Sequence, residues 1–148
     1  MMTIRWLREQ MRQGKSIFDL PLRVTFYARV STEKVEQQGS LENQIQYYTE
    51  FIRKNPNWTY IPGYIDEGIS GTSTYKRDSF LRMIADAQRG MFDFIITKEI
   101  SRFSRNTLDS IQYTQELLEN NVGVLFQNDN INTLDSDSEF RLVVMAGG

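Results

Sequence analysis

The 148-residue chain fits one domain of ordinary size, and its 40% hydrophobic content is enough to bury a core. It contains neither cysteine nor histidine, which excludes a cysteine nucleophile, a Ser-His-Asp triad and every zinc site built on those ligands. A net charge of −2 and a pI near 5.2 argue against a protein that holds DNA by its overall charge. No apolar run approaches the roughly 18 residues that a membrane span needs, and the charged N-terminus has no signal-peptide core. A cytoplasmic protein is therefore expected.

Residues 3–13 carry Ile4, Leu7 and Met11 at helical spacing, with Gly14 as the stop, and predict a short helix in an N-terminal extension over 1–21. Residues 23–30, RVTFYARV, alternate as a strand. Val24, Phe26, Ala28 and Val30 share one face, while Thr25, Tyr27 and Arg29 share the other, with Ser31 continuing that row. After a polar loop from Thr32 to Gly39, Leu41, Ile45, Tyr48 and Ile52 mark a helix ending before Pro56. Residues 58–65 read as one strand, with Pro62 and Gly63 marking an edge or a bulge.

The Gly/Ser/Thr-rich stretch 66–77 reads as a loop, and Phe80, Ile84 and Ala87 as a helix stopping near Gly90. Residues 92–97 are a short buried strand, followed by the polar segment KEISRFSRN. A helix to about Asn120, a strand at 122–126, an Asn/Asp-rich loop and a last helix from 138 complete the chain. The order β-α-β-α-β-α-β-α implies an α/β fold of three layers, with a mainly parallel central sheet and helices on both faces. In such sheets functional residues gather at the C-terminal strand ends, where Ser31, Asp66, Lys98 and Gln127 fall.

Three segments are candidates for chemistry. Ser31 stands at a strand end with Arg29 on the same side two residues back; the bland alternative is a capping serine. Arg102 and Arg105 share a face if their segment is helical, forming a fork for phosphate oxygens. The alternative there is a solvated turn pairing with Glu99 and Asp109. Lys76-Arg77-Asp78 leaves the Gly/Ser-rich loop, and could equally be a helix start capped by Asp78 or Ser79. Together they place a serine near several arginines, and phosphoryl transfer needs charge stabilisation more than covalent assistance.

YARVST (27–32), SLENQ (40–44), DEGISGT (66–72), KRDSF (76–80), FDFIITKEISRFSRN (92–106) and SEFRLVVMA (138–146) occur in the order of the serine recombinase family of resolvases, invertases, integrases and transposases. The chain resembles that family over about residues 22–146, and most resembles its large members. The resemblance implies a resolvase-like catalytic domain over 22–148. It also implies metal-free and cofactor-free cleavage of double-stranded DNA through a 5′-phosphoserine link, with strand exchange and rejoining.

Carried over by motif, the nucleophile is Ser31 and the phosphate-binding arginines are Arg29, Arg77, Arg102 and Arg105. Tyr27, Gln44, Asp93 and Lys98 fall on supporting positions. A homodimer that forms a synaptic tetramer is implied for the full-length protein. Ser101 departs from the pattern, since small resolvases usually carry Asp there. The chain also stops where the family has a long helix and DNA-binding domains, so a truncated domain with weak DNA affinity is expected. The competing readings are a noncatalytic receiver-like α/β domain using Asp66 and Glu67 for Mg²⁺, and a small-molecule phosphotransferase, for which Gly68 and Gly71 are too sparse.

Overall fold

A computed structural model of the chain describes residues 2–31, 36–68, 77–103, 106–135 and 137–147. Arg105 lies outside the described residues, and so does the side chain of Ser31.

The alternating run at 23–31 forms β1 (Arg23–Ser31), at the centre of the sheet. Four strands pair with it or extend from it in parallel. These are β2 (Thr59–Tyr60) and β3 (Tyr64–Gly68), which both pair with β1, β4 (Phe94–Thr97), which pairs with Val24–Phe26, and β5 (Gly123–Phe126), which pairs with β4. A short antiparallel strand, β6 (Ile131–Asn132), adds to β5.

Because β1 is buried on both faces, its two rows of side chains enter different cores. Val24, Phe26 and Ala28 pack with Leu7 of α1 (Ile4–Arg12), Leu20, and Tyr48 and Ile52 of α2 (Glu36–Arg53). Tyr27 packs on the opposite face with Phe80 and Met83 of α3 (Asp78–Gln88), Phe103 of α4 (Ile100–Phe103), Leu117 of α5 (Thr107–Glu119) and Leu142 of α6 (Ser138–Gly147). The result is the expected three-layer α/β arrangement with a mainly parallel sheet.

Several boundaries differ from the sequence expectation. The strand expected over 58–65 is two strands, because Ile61, Pro62 and Gly63 interrupt the pairing. β3 runs on to Gly68, so the first part of the expected loop is strand, and α2 starts at Glu36 inside the loop expected over 32–39. Asp78 and Ser79 do not cap α3: Arg77 is the N-cap and makes no side-chain cap bond. The separate helix α4 and the two-residue β6 were too short to leave a periodic signal.

The N-terminal extension joins this body. Thr3 caps α1, and Arg8 reaches the main-chain oxygens of Leu134 and Thr133 at 3.0 and 3.2 Å. Ile17, Leu20 and Leu22 are buried, and Trp58 donates to the Ile17 carbonyl.

Gly63 is where the break between β2 and β3 meets the core. A Cβ there would lie 2.3 Å from the Phe26 ring, which is itself stacked on Tyr48 at 4.7 Å. Gly63→Ala is therefore expected to destabilise the domain by about 1–3 kcal/mol through overpacking. Denaturant midpoints measure this, and an unchanged midpoint would show that the ring can yield.

Candidate functional site

The C-terminal strand ends converge on α4. Arg29, in the last turn of the β1 row, donates from Nη2 to the Ser101 carbonyl at 2.9 Å. Arg102 returns the contact, donating from Nη1 to the Arg29 carbonyl at 2.9 Å. Arg77, at the entry to α3, donates from Nη2 to the Phe103 carbonyl, and its guanidinium lies 3.9 Å over the Phe80 ring. Three arginines thus bond to, or from, three consecutive residues of one helical turn. Ser31 is the last residue of β1, two beyond Arg29, and its main chain pairs with Gly68.

The post behind this arrangement is Asp66, near the end of β3 and only 4% exposed. Its Oδ2 accepts the Tyr27 hydroxyl at 2.7 Å and the Phe80 N–H at 3.1 Å, while Oδ1 accepts the Ser79 N–H at 2.9 Å. A carboxylate from a neighbouring strand therefore does the capping that Asp78 or Ser79 was expected to do. The same bonds fix the residue before α3, which is Arg77. Phe103 completes the wall: its ring meets Phe80 edge-on at 5.0 Å and Tyr27 at 6.5 Å.

The other sequence candidates divide between two ends of the sheet. Lys98 follows β4 at the arginine end, with its ammonium 5.1 Å from the centre of the Tyr47 ring. Gln44 is partly buried on α2, one turn before the buried Tyr48. Asp93 precedes β4 at the opposite end of the sheet. It receives Arg23 through Nε and Nη2 at 3.1 and 3.0 Å and through the Arg23 main-chain N–H at 2.9 Å. The structure thus brings Tyr27, Arg29, Arg77, Lys98 and Arg102 to one end of the sheet and leaves Asp93 at the other. Arg102 bonds to the main chain of β1, in place of the carboxylate partners considered from sequence.

From sequence Asp66 is a strand-end carboxylate and a Mg²⁺ ligand of the receiver-like alternative; its link to Tyr27 depends on the pairing of Tyr27 with Tyr64, which puts Asp66 two residues further along the same face. Asp129, which accepts the Ile100 N–H at 2.9 Å and so caps α4, lay unremarked in the Asn/Asp-rich loop.

The chain matches the family described as "Resolvase, N terminal domain" over residues 24–148 and belongs to that family. A protein of Bacillus subtilis (strain 168) described as a candidate DNA recombinase is 30% identical over 106 residues, 71% of this chain and 20% of that protein. The chain therefore spans about one fifth of that relative's length. The crystal structure of a resolvase family site-specific recombinase from Streptococcus pneumoniae aligns with a TM-score of 0.65 at 26% identity, covering 84% of this chain and 87% of that one. The N-terminal catalytic domain of TP901-1 integrase shares the fold with a TM-score of 0.64 at 24% identity, covering 84% and 92%.

Two outcomes follow from the buried bonds. Asp66→Ala leaves the Tyr27 hydroxyl and two α3 amides unpaired, and is expected to cost about 2–4 kcal/mol in urea unfolding. Burial, aided by the Asp66 carboxylate, raises the Tyr27 hydroxyl above its ordinary pKa of 10.0, and burial does the same for Tyr48. An unfolded tyrosine loses its proton near pH 10 while these two keep theirs. Their contribution to stability is therefore complete below that pH and declines as the pH rises above it. Urea midpoints taken from about pH 9 to 11 should fall, and Tyr27→Phe should flatten the decline.

Proposed function

We propose that residues 22–148 are the catalytic domain of a site-specific serine recombinase, with residues 1–21 as an extension packed against it. Ser31 Oγ attacks a DNA phosphorus, the bond from phosphorus to the 3′-oxygen breaks, and the serine proton is given up as the leaving oxygen acquires one. The products are a 5′-phosphoserine and a 3′-hydroxyl. Attack of a 3′-hydroxyl on the phosphoserine reverses the step, rejoining the strand and releasing Ser31.

The observation that carries this reading is the gathering of Arg29, Arg77 and Arg102 around one turn beside the end of β1, whose last residue is Ser31. Charge developing on the nonbridging oxygens calls for fixed cations near the nucleophile. A guanidinium carries five donors, so a bond to a main-chain carbonyl orients the group and leaves donors for phosphate. Arg105 completes the proposed set from the family pattern. Tyr27, Gln44 and Lys98 support the site. Asp93 serves the fold at the far end of the sheet.

The receiver-like alternative needs strand-end carboxylates open to Mg²⁺. Both oxygens of Asp66 are taken by protein donors, which disfavours it.

Double-stranded DNA is the proposed substrate, engaged by a homodimer that joins a second to form a synaptic tetramer. The test is a nicked duplex spanning the ends of the genetic element that encodes the protein. Covalent attachment should occur in the presence of a chelator and vanish in Ser31→Ala, with DNA binding retained. Arg102→Ala should slow attachment by about 10²–10³-fold. Attachment that survives in Ser31→Ala would overturn the assignment.

A further inference from the structure

We propose that Glu99 is a positioning residue for Arg29, acting through the side chain and carbonyl of Ser101. The inference rests on the reading of the site given above. Ser101 has no charge of its own to offer the adjacent arginines. The carboxylate two residues earlier reaches the same turn: Glu99 Oε2 accepts the Ser101 hydroxyl at 3.1 Å. The other oxygen, Oε1, accepts the Asn128 amide at 3.2 Å. Asn128 is in turn fixed by its main-chain N–H, which donates to the Lys98 carbonyl at 2.8 Å.

A carbonyl orients a guanidinium only as firmly as the carbonyl itself is held. α4 is a single turn of four residues, too short to stabilise itself through its internal hydrogen bonds. Its geometry must be imposed from outside. Asp129 grips its first N–H, and Glu99 bridges the segment after β5 to Ser101. The Ser101 carbonyl then receives Arg29, while Arg102 closes the circuit on the Arg29 carbonyl. Glu99 thus stands at the start of a chain of contacts, Asn128 to Glu99 to Ser101 to Arg29, that ends on a proposed phosphate ligand. A misplaced guanidinium costs rate at the chemical step while leaving DNA affinity largely to the rest of the surface.

The experiment uses the protein carrying this domain and the nicked duplex described above, with attachment rate at saturating DNA, DNA affinity and Tm measured for each variant. Glu99→Ala should slow attachment by about tenfold or more, with affinity and Tm close to wild type. Glu99→Gln, which keeps an accepting oxygen, should retain much of the rate. Ser101→Ala, which removes the hydroxyl that Glu99 holds, should slow attachment to a similar extent, and the Glu99→Ala/Ser101→Ala double variant should be no slower than either single variant. A wild-type rate in Glu99→Ala overturns the proposal. So does a loss that tracks a fall in Tm, and so does a double variant whose loss is the product of the two single losses. Ser31→Ala, run alongside, separates the two ideas. If it still attaches, the reading of the site is wrong; if it is inert while Glu99→Ala is unimpaired, only the positioning role fails.

Discussion

The buried carboxylate of Asp66 is the junction on which the site depends. It accepts one hydroxyl and two main-chain amides, and these come from β1 and the first turn of α3. Each bond to a carboxylate oxygen is stronger than its neutral counterpart, and those from Tyr27 and Phe80 are buried. The two elements are therefore locked at one relative position at the end of the sheet. Arg77 enters from one of them and Arg29 from the other, so their separation is set by a group that touches neither guanidinium.

Main-chain carbonyls do the rest of the placing. Phosphate-binding arginines are often imagined as held by carboxylates, yet a carboxylate would neutralise the charge that a phosphate needs. A carbonyl orients the guanidinium without bringing a negative charge of its own. Arg29, Arg77 and Arg102 all use this kind of partner, and α4 supplies or receives each bond. The net negative charge of the chain is thus compatible with a locally cationic strand end. Phe80 adds to this: its ring face lies against Arg77 and favours the cation without titrating it.

How much of this could be read from sequence depended on the range of the interaction. The alternation in RVTFYARV was enough to mark a strand with Arg29 and Tyr27 on one face, because a two-residue period is local, whereas its central place in the sheet comes from its pairing with three other strands. Pro62 and Gly63 signalled a disruption, but the close approach of Gly63 to Phe26 needs the packing of α2 to be known. The cap of α3 was misjudged for the same reason. Local rules favour Asp78 or Ser79, and the actual acceptor arrives from Asp66 on a paired strand. The helical alternative for the segment with Arg102 holds over Ile100–Phe103, a single turn too short for periodicity to establish from sequence.

The grip of Arg8 on the carbonyls of Leu134 and Thr133 has a consequence for how the chain is made. The first helix leaves the ribosome well before its anchor, which lies 126 residues downstream. Until that anchor emerges, the face of β1 that carries Val24 and Phe26 lacks part of its cover, since Leu134 belongs to the same core as Leu7. The apolar underside of the sheet therefore stays partly open until Leu134 has emerged. It can close fully only when most of the domain has emerged, so α1 and the segment at Thr133 and Leu134 settle together in a single late step.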